Sequence, residues 1–337
     1  VDFELSRDQV ALAELVRVIV AGRFPIERVR RAEGGRQVVD DDDWAALGEA
    51  GVFSLTLPED AGGAGLGMAD AAVVFEELGR GVVPGPLVAT HLAARLAARA
   101  PALSGAAGGS MVVGATRPPS GGQPWLVEHL DSLSALVVRG DGGRLTVAGP
   151  AEVAALAAVA RPIERSLDPL TPLSLVPAAG PALDSVIDEE GAGREWDLGT
   201  RVLTGALCVG IAAATCHLAV EHAKHRHQFG RPIGSFQAVK HLCADMLVRA
   251  ETARAAVQAA AVTVDQPDVG DPERAAAGGA LLAAEAAVAN ARTCVQVFGG
   301  MGFTWEVPVH LYLMRAKVLA ASLGPADVLA ATVADRY

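Results

Sequence analysis

The chain is short of cysteine and has no arrangement of it that would build a framework. Its 337 residues hold four, Cys208, Cys216, Cys243 and Cys294. Each lies in an apolar, Ala-rich stretch without C-x-x-C spacing or histidine partners at zinc-like intervals, which argues against disulfide and metal frameworks and fits a reducing, cytoplasmic setting. A basic surplus is missing as well. With 28 Lys and Arg against 39 Asp and Glu, the formal net charge is −11. Long-range repulsion therefore disfavours non-specific attachment to nucleic acid or to an anionic membrane, and an anionic ligand has to be met by local cations. No signal peptide is expected, because the first residues include Asp2, Glu4 and Arg7 instead of a basic segment and an apolar run. Val202 to Val220 approaches the length of a membrane span. It is built of Ala, Gly, Thr and Cys, holds His217 and continues into a charged helix, so it reads as a helix buried in a bundle. What remains is a chain long enough for two or three compact units.

The opening segment Ser6-Arg7-Asp8-Gln9 has the form of a capping box, and Val10, Leu12, Leu15, Val16 and Ile19 follow at helical spacing. The acids Asp40 to Asp43 precede Trp44 and Leu47 and favour the start of a short helix that ends at Gly51. Leu57-Pro58-Glu59 with Gly62, Gly63, Gly65 and Gly67 cannot be helical and predicts a tight loop before a helix over Ala69 to Leu78. The Ala/Gly-rich stretch Pro101 to Ser110 reads as a hinge. Beyond it, Ser110 to Val113, Ala135 to Val138, Leu145 to Val147 and Leu173 to Val176 are short β-like runs. From about Gly199 three long helical segments follow, broken at Phe229 to Ser235 and near Gln266 to Pro272. The pattern predicts a mainly α chain with a small central β domain. Its parts are a helical N-terminal domain over 1–100, a small, degenerate β domain over 101–190, and a C-terminal four-helix bundle over 191–337.

Two segments carry chemistry. Lys224-His225-Arg226-His227 closes a long helix and could do no more than complement the helix dipole. It runs on, however, into Phe229-Gly230-Arg231-Pro232-Ile233 and then Phe236-Gln237. A guanidinium beside an aromatic ring suits a pyrophosphate next to an adenine or flavin edge, because it forks onto phosphate and also stacks. The second segment, Gln296-Val297-Phe298-Gly299-Gly300, could be a simple helix C-cap, but it continues into Met301-Gly302-Phe303, Glu306, Pro308 and Met314-Arg315-Ala316-Lys317.

Together and in this order the two segments resemble the C-terminal half of the acyl-CoA dehydrogenase family. Phe3, Leu5, Gln9, the stretch Trp44 to Gly51, the glycine loop and Glu76-Glu77-Leu78-Gly79-Arg80 resemble its N-terminal domain. The resemblance implies the family fold, with a helical domain, a β-barrel-like middle domain and a four-helix bundle. It also implies FAD as cofactor, an acyl-CoA thioester as substrate and an electron-transfer flavoprotein as acceptor. It assigns cofactor contact to Arg226, Phe229, Ile233, Gln237, Gln296, Val297, Phe298, Gly299 and Gly300, the Gln-x-x-Gly-Gly turn reaching the ADP part of a neighbouring subunit's FAD. For the N-terminal glycine loop it implies a fold-defining turn without ligand contact.

The family's reaction needs a glutamate to take the α-proton, and the resemblance gives it two alternative homes. Here these fall at Thr200 and Leu323, neither of which is a useful base. The middle region also departs from the family. Gly114 to Pro119 and the segment near Trp125 give only fragments of the strands that cradle the flavin ring, and the loop from Asp188 to Leu198 is altered. Clamp kept and base lost together resemble the base-lacking subunit of heteromeric actinobacterial acyl-CoA dehydrogenases of sterol side-chain degradation. That implies a homologous, glutamate-bearing partner in an α2β2 complex. Two alternatives stand beside it: a self-sufficient enzyme that uses Asp197, Asp327 or Glu306, and a flavin-free scaffold in which Arg226 and Gln296 have no task.

Overall fold

A computed structural model describes residues 4–31, 38–119, 122–178, 185–187 and 191–336; Phe3 and residues 188–190 lie outside that set. In chain order the helices are α1 (Arg7–Arg23), α2 (Ile26–Arg31), α3 (Asp41–Glu49), α4 (Met68–Arg80), α5 (Leu87–Ala94), α6 (Pro150–Val159), α7 (Ala192–His225), α8 (Gln237–Asp265), α9 (Pro272–Phe298), α10 (Val309–Ser322) and α11 (Ala326–Asp335). The strands are β1 (Val113–Thr116), β2 (Trp125–Glu128), β3 (Ala135–Arg139), β4 (Leu145–Ala148), β5 (Arg161–Pro162), β6 (Leu173–Val176), β7 (Ser185–Ile187), β8 (His227–Gln228) and β9 (Arg231–Pro232). The mainly helical class with small sheets is as the sequence predicts. The described residues fall into two compact units, one within Val1–Arg30, Met68–Val83 and Arg201–Tyr337, the other within Arg31–Gly67 and Pro84–Thr200.

The first unit is all helix apart from the small β8–β9 hairpin. The expected capping box is present at α1: Ser6 Oγ accepts from the Gln9 amide at 3.1 Å while Gln9 Oε1 accepts from the Ser6 amide at 3.0 Å. At α9, Asp271 caps by accepting from the Arg274 amide at 2.8 Å, and Pro272 opens the helix. The N-terminus of α4 is capped from another helix, because the Asp265 carboxylate at the end of α8 accepts from the Met68 and Ala69 amides at 2.8 and 3.0 Å. The same α4 explains its Glu76-Glu77-Leu78-Gly79-Arg80 segment. Glu77, buried, pairs with Arg17 of α1 at 2.8 Å, and Glu76 accepts a fork from Arg254 of α8 at 2.9–3.1 Å. Gly79 and Gly210 let α4 and α7 touch backbone to backbone: a Cβ on Gly79 would overlap the Leu207 carbonyl, and one on Gly210 the Glu76 carbonyl.

At the centre of the bundle one polar side chain joins three helices. Asn290 of α9, fully buried, donates to the carbonyl oxygens of Ala212 in α7 (3.1 Å) and Met246 in α8 (2.8 Å), and its own oxygen accepts from Arg249 Nε at 2.9 Å. A buried carboxamide is stable only when its bonds are made, so this contact fixes the axial register of α7, α8 and α9. The apolar stretch Val202 to Val220 lies in α7, where 83% of the most apolar window is buried inside the protein, although its length and composition would suffice for a membrane span.

The second unit holds two sheets. In one, β1 pairs parallel with β3, and β3, β4 and β7 follow antiparallel; the other is antiparallel in the order β2-β6-β5. The start of α7 is tied to the first sheet by Asp197, whose carboxylate accepts from Arg139 Nε (3.1 Å) and Nη2 (2.7 Å) at the end of β3, with Arg117 at 3.3 Å. His91 of α5 is fully buried, with Nδ1 2.8 Å from the Val52 carbonyl and Nε2 3.1 Å from Thr56 Oγ1. The glycine loop is a turn, as expected: Gly62 and Gly65 take left-handed φ of 79° and 63°, and the Gly65 amide donates to the Leu57 carbonyl at 2.8 Å.

Four local expectations need correction. The stretch Pro101 to Ser110 is not a hinge: Leu103 and Ala106 are fully buried, and a Cβ on Gly48 would overlap the Gly108 backbone. Small residues serve close packing there. The first strand is Val113–Thr116, not Ser110 to Val113, and the helix expected from about Gly199 already starts at Ala192. In α1 the buried residues are Ala13, Val16 and Val20, while Val10 and Leu15 of the expected stripe face outward.

Two outcomes follow from this packing. Gly210→Ala drives α4 and α7 apart and lowers the unfolding free energy by about 2 kcal/mol, read as an earlier denaturation midpoint. Burial and the nearby Arg95 hold the His91 pKa at about 4 against a usual 6.5, the Val52 carbonyl offsetting part of the shift. The folded state thus refuses a proton that the unfolded state takes up. Stability is full above pH 6.5 and declines as the pH falls towards 4, by about 3 kcal/mol from this group. Melts between pH 7 and pH 4 on the parent and His91→Gln check it, the variant showing the shallower decline.

Candidate functional site

The first of the two predicted segments is built on a tight hairpin. After α7 ends at His225, β8 and β9 pair His227 with Pro232 and Gln228 with Arg231, leaving Phe229 and Gly230 as the two loop residues. Both have positive φ, 54° and 77°, the backbone of a type I′ turn. Left-handed φ is natural for glycine and costs an aromatic residue about 1 kcal/mol, so the turn holds the Phe229 ring outward against a backbone preference, 90% exposed. The Phe229 ring meets Phe236 edge-on at 6.1 Å, and Arg231 lies over the Phe236 face at 4.1 Å. Arg226 is exposed at the base of the hairpin, its carbonyl accepting from the Ile233 amide at 2.7 Å. Gln237 is exposed as the first residue of α8, which has no side-chain cap.

The second segment closes α9. Gln296 is exposed, Val297 buried and Phe298 half-buried. Gly299 then takes φ 63° and ψ −140°, a backbone region open essentially only to glycine. Neither Gly299 nor Gly300 would find a heavy atom within 4 Å of an added Cβ. The result is bare peptide backbone facing open space.

The structure brings the two segments together. Ile233, Val297 and Phe298 pack on one core cluster with Cys216, Ala219, Met246 and Cys294, so the side chains of Ile233 and Val297 support the surface from below. Across it the His222 ring stacks on Phe298, with centroids 4.0 Å apart and planes 16° from parallel. Sequence reasoning missed this contact; the signal available was a ring-bearing residue one helical turn before Arg226. Of the nine residues assigned to a cofactor, Arg226, Phe229, Gln237, Gln296, Gly299 and Gly300 are exposed. Burial pushes the Cys294 thiol up to about 12 and raises those of Cys216 and Cys243, which disfavours the reactive thiolate.

The two positions at which a base was sought hold no carboxylate. Thr200 is half-buried on α7, and Leu323 is buried at the end of α10 before Gly324, whose φ is 92°. Among the fallback acids, Asp197 is engaged by Arg139 and Arg117. Asp327 is exposed in the first turn of α11, and Glu306 is exposed in the loop before α10, its backbone oxygen accepting from Arg30 at 3.4 Å. In the β unit, buried Thr116 spends its hydroxyl on the Leu126 carbonyl at 2.9 Å.

Comparison with known proteins places these features in one lineage. The family model described as "Acyl-CoA dehydrogenase, N-terminal domain" matches residues 6–102, and "Acyl-CoA dehydrogenase, C-terminal domain" matches residues 198–337. Acyl-CoA dehydrogenase IpdE2 of Mycobacterium tuberculosis is 36% identical over 94% of this chain and 94% of its own length. Acyl-CoA dehydrogenase FadE34 of the same organism is 36% identical over 95% of this chain, which spans 46% of FadE34, about half its length. Among solved structures, a variant of the Tcur3481–Tcur3483 steroid ACAD superposes with a TM-score of 0.80 at 25% identity, over 97% of both chains. The chain belongs to the acyl-CoA dehydrogenase family, whose members are FAD-dependent.

Proposed function

We propose that this chain is the base-lacking subunit of a heteromeric acyl-CoA dehydrogenase. In this reading it clamps the ADP end of an FAD whose flavin ring and catalytic glutamate belong to a homologous partner. The observation that carries it is the pairing of an exposed clamp with two base positions that hold Thr200 and Leu323. Both sides of the clamp lie in one chain and on one surface, as a subunit reaching across to a neighbour requires.

The residues fit the ADP part of the cofactor. The Arg226 guanidinium is free to fork onto phosphate, the exposed Phe229 ring can lie against an adenine, and the bare Gly299–Gly300 backbone admits close approach where any side chain would intrude. They do not extend to the ring: the hydroxyl of Thr116, in the fragmentary strand expected to help cradle it, is buried and committed to Leu126. When bound, FAD would supply the acceptor for a hydride from the substrate β-carbon and the partner's glutamate the base for the α-proton, while Arg226, Phe229, Gly299 and Gly300 would hold the nucleotide end.

The steroid ACAD carries a double designation, and the match occupies about half of FadE34, which leaves room there for a second unit of this size. These support an α2β2 assembly of homologous subunits and a bulky polycyclic acyl-CoA, which a vacated second site would help accommodate. The electron-transfer flavoprotein as acceptor rests on the family resemblance, and a cytoplasmic location on four cysteines that form no disulfide. The self-sufficient reading loses its nearest candidate, because Asp197 is held by two arginines and cannot turn to a substrate without leaving both.

Co-expression with a homologous subunit that carries glutamate at the position matching Thr200 or Leu323 tests the proposal. The expected product is a yellow complex that reduces a dye with acyl-CoA, while the chain alone is inactive. Arg226→Ala lowers FAD retention of the complex by about tenfold to a hundredfold, the worth of a charge-assisted contact. An active yellow homomer of this chain alone would overturn the reading. Asp197→Asn leaves turnover of the complex within about twofold and costs about 1–2 kcal/mol of stability, measured by denaturation, as expected for a weakened ion pair.

A further inference from the structure

The residues assigned to the clamp lie on two segments far apart in sequence, and something has to hold them at a fixed distance. Hydrophobic packing beneath them supplies support but little angular precision. Among the described residues, a contact with defined ring geometry spans the gap between His222 and Phe298. Each ring stands next to a clamp element. The His222 carbonyl accepts the Arg226 amide at 2.8 Å, one helical turn away, and Phe298 is the last residue of α9, bonded directly to Gly299.

We propose that His222 is a positioning residue that locks the Gly299–Gly300 turn to the Arg226 hairpin by stacking on Phe298. The inference rests on the clamp reading above and adds a residue to it. Phe298 is followed by a residue in a glycine-only conformation, so the turn has no side chain of its own to anchor it, and a fixed Phe298 side chain holds the backbone from which the Gly299 and Gly300 amides project. Burial, followed by the positive charge of Arg226, lowers the His222 pKa below its usual value. Both effects favour the uncharged ring, a flat surface suited to lie on a phenyl ring and replaceable by another neutral aromatic ring.

Hydrogen–deuterium exchange on the whole chain tests this without any bound cofactor, with exchange through the middle of α8 as the internal reference for folding. His222→Ala is expected to speed exchange over residues 296–303 by about threefold to tenfold, the worth of one aromatic stack, and His222→Phe to restore the parent rate. In the assembled complex, FAD retention follows the same order, with Arg226→Ala as the comparison. Unchanged exchange over residues 296–303 in His222→Ala overturns the inference. So does faster exchange with undiminished FAD retention, if Arg226→Ala does lose the flavin. Full FAD retention in Arg226→Ala defeats the clamp reading instead, and the cofactor-free exchange result keeps the two failures apart.

Discussion

Everything assigned to the clamp hangs from the carboxamide of Asn290. Its bonds to the Ala212 and Met246 carbonyls and to Arg249 set the heights of α7, α8 and α9 relative to one another. Gly299 lies nine residues beyond Asn290 along α9, and Gln237 nine residues before Met246 along the oppositely directed α8. At the rise of an α-helix both are about 13 Å from the anchor. The Gly-Gly turn and the start of α8 therefore arrive at one level without any direct tie. A slip of one residue in any of the three helices would displace one part of the surface by about 1.5 Å, more than a phosphate contact tolerates. An Ala-rich bundle has few large side chains to resist such a slip, and a single satisfied polar group in its core supplies the resistance.

The division of labour proposed for the surface has a matching pattern inside. The first unit is heavily invested in ionic and polar ties, among them Glu76 with Arg254, Glu77 with Arg17 and Asp265 with the start of α4. Such ties specify geometry more than they add stability. At the two positions where the resemblance places a base, the same chain holds no carboxylate. Leu323 is buried, Thr200 offers only a hydroxyl, and Asp197 is spent on anchoring α7 to a strand.

Local features were legible in the sequence and distant pairings were not. The capping box at Ser6, the glycine turn after Leu57, the breaks around Phe229 to Ser235 and Gln266 to Pro272 and the family's two C-terminal segments are all encoded in a few consecutive residues, and each lies where its sequence places it. The sequence shows strand β2 only as a fragment near Trp125, and helix α6 not at all. Trp125 to Glu128 becomes a strand only by pairing with β6, and Pro150 to Val159 is so rich in alanine that its pattern has no clear face. The supposed hinge failed for a related reason, since Ala and Gly serve close packing as readily as flexibility and only a partner such as Gly48 decides between them. His222 on Phe298 and Arg139 on Asp197 are contacts across the chain that no local spacing announces.

The backbone contact between α4 and α7 at Gly79 and Gly210 bears on how this protein can be altered. Charged groups on the rim, such as Glu221, Lys224 and His225, stand in solvent and can be exchanged with little structural effect. The two glycines have no functional group to draw the eye, yet any added carbon there has nowhere to go. A programme to redesign this chain would find its firmest limits at residues that do no chemistry. Its freedom lies among those that look most chemical.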